Sequence, residues 1–167
     1  QNMDHQWSPN PDKTAFNGST TEGFAEHYFQ TLRHYSFEDV PTESPIPVMW
    51  WRSVYSSTNG FAYESFMDEL AIESGKDPLE FRLNLIGNDR LEDSEDGYKF
   101  DSARAKHVMK TAAKNAGWGR ELPAGHAFGL AVQYSFLSYV ASVVEVSVIN
   151  NKVKVHEIFT VIDCGTV

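Results

Sequence analysis

The spacing of apolar residues changes once along this chain, and that change limits the folds open to it. Up to Ala116 the apolar residues recur every three or four positions, as on the face of a helix. From Ala127 onward they recur every second position or in unbroken runs, as in strands. We therefore expect an α+β fold, with an antiparallel or mixed sheet from the C-terminal half packed against about three helices.

Three segments have the start and stop signals of helices. Ser56–Asn59 predicts the start of the first helix and Gly75 its end. Asp77 predicts the N-cap of the second helix, and Asp101 and Gly117 bound the third. The apolar faces of the first and third helices would consist of Ala62, Phe66, Met67 and Leu70, and of Ala105, Val108, Met109, Ala112 and Ala116.

The C-terminal half predicts a meander of strands. Residues 127–136 form a continuous buried strand in this interpretation, and the valines at 144, 146 and 148 face the core while Glu145 and Ser147 face solvent. Asn150 and Asn151 suit a tight hairpin turn, since asparagine tolerates positive φ. A return strand runs through 159–161, and exposed edges of this sheet are expected to drive self-association.

The two ends of the chain predict its domain organisation. Residues 1–23 are loop-like, and residues 24–32 fit a short helix that opens a domain over 24–167. No signal peptide is recognisable at the start, and the last residues directly follow a strand-like run. We expect a fragment excised from a longer protein, with a complete protein whose last strand is docked as the alternative.

Charge and cysteine content exclude several classes of function. Lys and Arg total 14 and Asp and Glu total 23, which gives a net charge of −9. Such a surface repels nucleic acid and anionic membranes, and no apolar run approaches the roughly 20 residues of a membrane helix. The only cysteine, Cys164, excludes an internal disulfide and any cysteine-built metal cluster; we expect it to be a small buried apolar residue.

Few residues suggest chemistry by their spacing. The six histidines include no His-x-x-x-His pair, so no metal site is predicted. No nucleophile–base pattern supports a hydrolase. Glu64 and Asp68 share one helix face, where paired carboxylates could perform acid–base work, but a solvated acidic face is the favoured interpretation.

The segment from Met49 to Val54 is the strongest candidate for binding. Two tryptophans and Arg52 stand between a proline-rich stretch and the start of a helix, where backbone N–H groups and the helix dipole attract anions. An aromatic pair packed beneath a surface arginine explains the same residues equally well.

A longer set of residues resembles the large subunit of molybdenum hydroxylases, the xanthine dehydrogenase/aldehyde oxidase superfamily, and is most similar to the branch formed by the beta subunits of isoquinoline 1-oxidoreductase. The resemblance covers about residues 24–167. It is carried most specifically by Trp51–Val54, Asn59, Phe61, Glu64–Ala71, Gly75, Asp77–Pro78 and Phe81–Arg82, and further by 116–119, 122–125, 129–131, 144–146 and 161–165.

This resemblance implies a reaction and its participants. A molybdenum–molybdopterin cofactor, in its cytosine dinucleotide form in bacteria, would transfer a water-derived oxygen to an aldehyde or N-heterocycle. Electrons would leave through an iron–sulfur small subunit, and a glutamate elsewhere in the large subunit would be the general base. Members of this branch are often exported folded, so the compartment, cytoplasmic or periplasmic, stays open.

The resemblance also implies roles for particular residues. Trp50, Trp51 and Arg52 match the loop beside the molybdenum, and Val54 stands where relatives that use xanthine-type substrates place an aromatic residue. Tyr55 occupies a position that is usually small. Glu64 and Glu69 match positions that hold the helix behind the loop.

Other parts of the family site have no counterpart in this sequence. The remaining glycine-rich cofactor loops and the catalytic glutamate are absent, so the resemblance implies one wall of a cofactor site, no catalytic residue and no activity or bound cofactor in the isolated fragment. The alternative is a non-catalytic interaction domain that keeps the fold without cofactor. An open Trp51–Arg52 loop would favour the first hypothesis, and a buried Trp51 with Arg52 paired to a core carboxylate would favour the second.

Overall fold

The computed structural model describes residues 25–28, 32–34, 52–93 and 99–166. Its helices are α1 (Ala25–Tyr28), α2 (Val54–Glu73), α3 (Pro78–Ile86) and α4 (Ser102–Ala116). Its strands are β1 (Leu91–Asp93), β2 (Lys99–Asp101), β3 (His126–Ser135), β4 (Ser138–Ile149) and β5 (Lys152–Asp163). Strands β3, β4 and β5 form an antiparallel sheet in chain order, and β1 pairs with β2. The predicted α+β fold is confirmed.

Helix α4 covers one face of the three-stranded sheet and forms the centre of the core. Its predicted apolar stripe is confirmed, because all five residues are buried. Alternate residues of the paired strands face it, since directly opposite residues of antiparallel strands lie on the same side of a sheet. They are Leu130, Val132 and Tyr134 of β3 and Tyr139, Ala141 and Val143 of β4.

Local signals set the ends of α3 and α4 as predicted. The Asp77 carboxylate accepts hydrogen bonds from the backbone N–H groups of Leu79 and Glu80 at 2.9 and 3.0 Å. Asp101 accepts from the N–H of Ala103 at 2.9 Å in the same manner. Gly117 ends α4 with φ 67°, a left-handed conformation that favours glycine.

The prediction for α2 was wrong in its start and in its buried face. The helix begins at Val54, so Ser56 lies inside it. Phe66 and Leu70 are exposed, and the buried positions are Tyr55, Ser56, Glu64, Met67 and Ala71. The hydropathy pattern predicts the wrong face of α2, because the face that is buried has the Glu64 carboxylate at its centre.

The prediction that Glu145 and Ser147 face solvent was also wrong. Both are buried on the α4 side of the sheet, in line with Tyr139, Ala141 and Val143, and it is Val148 that is exposed. Glu145 contacts His126 Nδ1 at 2.7 Å and pairs with Arg120. These partners, supplied by other segments, satisfy the carboxylate on that face.

Several other expectations are settled by the described residues. The hairpin at Asn150 and Asn151 is confirmed, with φ 51° and 58°. Cys164 is exposed, so the prediction of a buried cysteine was wrong. The segment 1–23 lies outside the described residues, and of 24–32 the structure describes α1 and residue 32. None of the described helices combines the length and apolar character that a membrane crossing requires.

Candidate functional site

The start of α2 has an unusual backbone and an incomplete cap. Ser53, the N-cap residue, has φ 62° and Val54 has φ 43°. The Ser53 side chain makes no capping hydrogen bond, and the first turn contains no acidic residue. The Ser53 side chain therefore does not supply the usual capping acceptor at the positive end of this 20-residue helix.

The exposed Arg52 directly precedes this helix start. It has no hydrogen-bonding or ion-pair partner among the described residues, so it is not paired with a described core carboxylate. The two tryptophans of the predicted loop, Trp50 and Trp51, lie outside the described residues. Their predicted roles, and the test based on burial of Trp51, stay predictions.

A cavity of about 370 Å³ opens beside the helix start. The turn between β3 and β4 forms its other side. Its lining residues are Ser53, Gln133, Ser135, Phe136, Ser138 and Val140. The Ser135 Oγ atom is buried and has no hydrogen-bond partner among the described residues. A buried hydroxyl without a partner is unfavourable, and it marks a place where a ligand group could bind.

Backbone strain is concentrated around this cavity. Outside glycine, the described residues with positive φ are Ser53, Val54, Phe136, Leu137 and the two hairpin asparagines. Asparagine adopts this conformation readily, whereas valine, phenylalanine and leucine do not. The strained residues therefore lie in the two segments that border the cavity, which is typical of functional sites.

A buried network fixes α2 behind the cavity. Arg82 of α3 donates from Nε to Glu64 Oε2 at 2.8 Å and from Nη2 to the Glu64 carbonyl at 2.8 Å. Tyr28 donates to Glu64 Oε1 at 2.6 Å, and the Val132 N–H of strand β3 donates to Oε2 at 3.1 Å. Asp68 accepts from Arg82 Nη1 at 2.7 Å.

The electrostatics of this network agree with a structural role. Burial lowers the pKa of Arg82, but the charges of Glu64, Tyr28 and Asp68 outweigh it and raise the pKa above its ordinary value. Burial, and then the charge of Glu64, raises the pKa of Tyr28. Both oxygens of Glu64 are used within the network, so the favoured prediction of a solvated acidic face was wrong for Glu64.

A second ion pair fixes the end of β5. Arg104 donates from Nε and Nη2 to the two carboxylate oxygens of Asp163 at 2.8 and 2.7 Å, and its guanidinium lies 4.5 Å from the centre of the Tyr139 ring. Asp163 also accepts from the Gly165 N–H at 3.0 Å. The hydrogen bonds from Arg104 and Gly165 lower the pKa of Asp163 to about 2.

Two histidines that the sequence did not single out lie together at the far end of the sheet. The rings of His126 and His156 stack with centroids 4.2 Å apart, and His156 Nε2 contacts Ser147 Oγ at 2.8 Å. Ser147 is 2% exposed, so this serine–histidine contact is closed to a substrate. Within the described ranges, no three His, Cys, Asp or Glu side chains are arranged to hold a metal ion.

Two of the predicted site residues, Arg52 and Val54, flank Ser53, which lines a cavity that sequence reasoning missed; neither of them is itself a lining residue, and their predicted roles stay predictions. Gln133 and Ser135 have no sequence signal of their own, because they are single polar residues within a strand. In the structure, the β3–β4 turn that follows Ser135 brings both residues close to the start of α2.

Comparisons with known proteins give two partial matches. The chain is 46% identical over 69 residues to one of the subunits of nicotinate dehydrogenase from Pseudomonas putida, which is 41% of this chain and 5% of the relative. It is 33% identical over 84 residues to a membrane-bound aldehyde dehydrogenase (pyrroloquinoline-quinone) of Gluconacetobacter polyoxogenes, which is 49% of this chain and 11% of the relative.

The matched part is a small share of each relative, and no protein-family model matches the chain. Both relatives are dehydrogenases by name, and the first is one component of a larger enzyme. The chain is therefore similar in part to oxidoreductases, and this similarity supports its resemblance to the molybdenum hydroxylase superfamily.

Proposed function

We propose that this chain forms one wall of the cofactor site in the large subunit of a molybdenum-dependent hydroxylase, of which it is a fragment. The observation that carries the proposal is the cavity between the strained start of α2 and the strained β3–β4 turn, with the exposed Arg52 next in sequence to its lining residue Ser53. The partial similarity to dehydrogenases supports an oxidoreductase.

The residues at this cavity fit an oxygen-rich, anionic group. Arg52 supplies a positive charge that no described side chain neutralises. The Ser135 hydroxyl is buried without a partner among the described residues and would gain one when a ligand binds. When bound, a molybdenum–molybdopterin cofactor, in this proposal its cytosine dinucleotide form, supplies the oxygen-transfer and electron-accepting chemistry.

In this proposal, residues of this chain would bind and orient the cofactor and the substrate. Arg52 attracts the anionic part of the cofactor, and Trp50 and Trp51 have the cofactor-binding role that the resemblance implies. Val54 borders the space for the substrate, and its small side chain cannot stack on a flat ring as an aromatic residue would. The cavity volume lies in the usual range of roughly 300–1,000 Å³ for small-molecule sites.

The substrate class in this proposal is an aldehyde or an N-heterocycle, hydroxylated with oxygen from water. An iron–sulfur small subunit is the proposed electron-accepting partner, and the isoquinoline 1-oxidoreductase type is the proposed branch. We assign no catalytic residue to the described ranges. The general base would come from the rest of the large subunit, so the isolated chain is expected to be inactive and free of cofactor.

The variant Arg52→Ala, made in the large subunit that carries this sequence and purified with its small subunit, tests the proposal. We expect molybdenum content and released pterin to fall together, because the lost charge weakens anion binding. Lys110→Ala is the matched control, since Lys110 is an exposed cation on α4, across the sheet. Unchanged molybdenum and pterin in Arg52→Ala would contradict the assigned role.

The alternative of a non-catalytic interaction domain makes a different prediction. It requires no exposed cation at the start of α2, and it predicts that the wild-type large subunit contains neither molybdenum nor pterin. The absence of a described carboxylate partner for Arg52 favours the cofactor hypothesis over this alternative.

A further inference from the structure

The cavity beside the start of α2 has an uncharged, hydrogen-bonding lining. Four of its described lining side chains are neutral and polar, and the other two are apolar. They are Ser53, Gln133, Ser135 and Ser138, and Phe136 and Val140. None of these described lining residues is charged, although 22% of the chain is Asp, Glu, Lys or Arg. A ligand inside the cavity would therefore meet hydrogen-bonding groups and apolar surface, but no counter-charge from this lining.

The Ser135 hydroxyl is the most direct sign that this lining binds a ligand. Its Oγ atom is buried and has no hydrogen-bond partner among the described residues. Ser135 is the last residue of β3 and directly precedes Phe136 and Leu137, the two turn residues with positive φ. A buried hydroxyl without a partner costs stability, and a ligand group that bonds to it removes that cost.

Gln133 is a second hydrogen-bonding group on the same side of β3, because residues two positions apart face the same side of a strand. Its Nε2 atom donates to the Tyr134 carbonyl at 3.1 Å, and its Oε1 atom has no hydrogen-bond partner among the described residues. Gly60 of α2 leaves room for this amide, since a Cβ there would lie 3.0 Å from Oε1. Gln133 and Ser135 therefore offer an amide oxygen and a hydroxyl, which can donate as well as accept, beside the same cavity.

Phe136 adds an aromatic surface to this lining. It lines the cavity, yet it is 56% exposed, and its backbone has φ 47°. Both features cost free energy in the ligand-free chain, because a bulky residue disfavours positive φ and an exposed ring is in contact with water. A flat ligand that stacks on the ring would bury this apolar surface.

We propose that this cavity is the substrate pocket and that Gln133 and Ser135 select a flat, uncharged substrate that carries a carboxamide group, in preference to the corresponding carboxylate. The Gln133 amide oxygen accepts from the N–H of the carboxamide, and the Ser135 hydroxyl donates to its carbonyl. The volume of about 370 Å³ lies near the lower end of the range for small-molecule sites, which favours a substrate of one or two rings. This inference rests on the proposed function, because it names the substrate class at the same site.

The preference for an uncharged substrate is compatible with an anionic cofactor group at Arg52. Arg52 is next in sequence to Ser53 but is not a lining residue of the cavity. A carboxylate inside the cavity would lose its water and gain no counter-charge from the lining, which is unfavourable. A carboxamide of the same shape loses less hydration and supplies the N–H that the Gln133 oxygen lacks.

Isothermal titration calorimetry of the proposed large subunit, purified with the proposed small subunit, tests this inference with benzamide and benzoate as probes. The two probes share one shape and differ in charge and in the amide N–H groups. Neither is an aldehyde or an N-heterocycle, so binding is measured without turnover. We expect benzamide to bind at least about tenfold more tightly than benzoate.

Variants of the two polar residues assign this binding to the cavity. Ser135→Ala and Gln133→Leu should each weaken benzamide binding about three- to tenfold, as the loss of one hydrogen bond does. Ser74→Ala is the matched control, because the Ser74 hydroxyl donates to the Ala71 carbonyl at 3.0 Å at the other end of α2. It should bind benzamide as the wild type does.

Three outcomes would overturn the inference. Benzoate that binds as tightly as benzamide would show that the cavity does not select against charge, and unchanged benzamide binding in both variants would place the ligand elsewhere. A loss of molybdenum and pterin in Ser135→Ala would assign this hydroxyl to the cofactor instead of the substrate. The first two outcomes leave the proposed cofactor wall untouched, because the molybdenum and pterin content of the Arg52 variant tests it separately.

Discussion

Arg82 and Glu64 form a buried ion pair that joins α3 to α2. Arg82 Nε donates to Glu64 Oε2 at 2.8 Å, and the two residues are 0% and 6% exposed. The same Glu64 oxygen accepts from the N–H of Val132 on β3. One carboxylate therefore connects two helices and the edge of the sheet, and it holds in place the helix whose N-cap residue, Ser53, lines the cavity.

Removal of Arg82 should destabilise the fold strongly. In Arg82→Met, Glu64 would remain buried without its counter-charge, and we expect a loss of about 3–5 kcal/mol in the free energy of unfolding. Asp68→Asn is the matched control, because Asp68 is the partly exposed partner of the same guanidinium and should contribute no more than about 1 kcal/mol. Urea unfolding measures both, and equal losses would contradict the central role of Glu64.

Ser135 and Ser147 should respond in opposite directions to alanine substitution. The buried Ser135 hydroxyl has no partner among the described residues, so Ser135→Ala should leave the ligand-free chain equally stable or about 1 kcal/mol more stable. Ser147→Ala removes a hydroxyl bonded to His156 and should destabilise by a similar amount. Urea unfolding of the two variants provides the comparison; a clear loss of stability in Ser135→Ala would mean that its hydroxyl is already satisfied.

Gly60, inside α2, and Gly75, just beyond its C-terminal end, provide a comparison of two glycines. A Cβ at Gly60 would lie 3.0 Å from the amide oxygen at the end of the flexible Gln133 side chain, whose Nε2 donates to the Tyr134 carbonyl at 3.1 Å. Gly60→Ala should therefore keep or gain up to about 1 kcal/mol of stability while displacing Gln133 from the cavity. Gly75→Ala should lose about 1 kcal/mol, because Gly75 has φ 65°.

Thermal unfolding and the NMR signals of the Gln133 side-chain amide measure these effects. A marked loss of stability in Gly60→Ala would show that Gln133 is rigidly held. An unchanged Gln133 signal would show that the close approach of α2 to β3 does not set its position.

Asp163 should make stability depend on pH in the acidic range. Its pKa of about 2 in the folded chain lies below the ordinary value of 3.8, so between these values the unfolded chain binds more protons. The stabilisation is present above about pH 4 and is lost as the pH falls toward 2. Since the pair with Arg104 is partly exposed and screened, we expect about 1 kcal/mol.

The variant Asp163→Asn isolates this contribution from that of other carboxyl groups. The difference in free energy of unfolding between wild type and variant, from urea unfolding at several pH values, should shrink from pH 5 to pH 2. A difference that stays constant across this range would show that Arg104 does not perturb the Asp163 carboxyl.

Elements with short-range signals could be predicted from the sequence, and elements fixed by distant partners could not. Asp101 and the stripe of α4 are local features, and so are the asparagines of the β4–β5 hairpin. The buried face of α2 depends on Glu64, whose partners Arg82 and Val132 are 18 and 68 positions away. The orientation of β4 likewise depends on the contacts of Glu145 with Arg120 and His126.

The residues of the candidate site also fall into two groups: those with a local sequence signal and those that depend on distant parts of the chain. Arg52 and Val54 were singled out because a tryptophan–arginine loop before a helix is a recognisable pattern, and as site residues they stay predictions. Ser135 and Gln133 reach the cavity only through the turn at Phe136 and Leu137, which has φ values of 47° and 65° without a glycine. Nothing in the residue types of this turn predicts such a backbone.

The metal and pterin content of the large subunit that we propose carries this sequence, purified with the proposed small subunit, tests the central claim most directly. Elemental analysis for molybdenum, together with fluorescence of the oxidised pterin released on denaturation, gives both quantities from one preparation. If the start of α2 forms a wall of the cofactor site, molybdenum and pterin will be present in stoichiometric and equal amounts. A folded, intact complex that contains neither would contradict the claim.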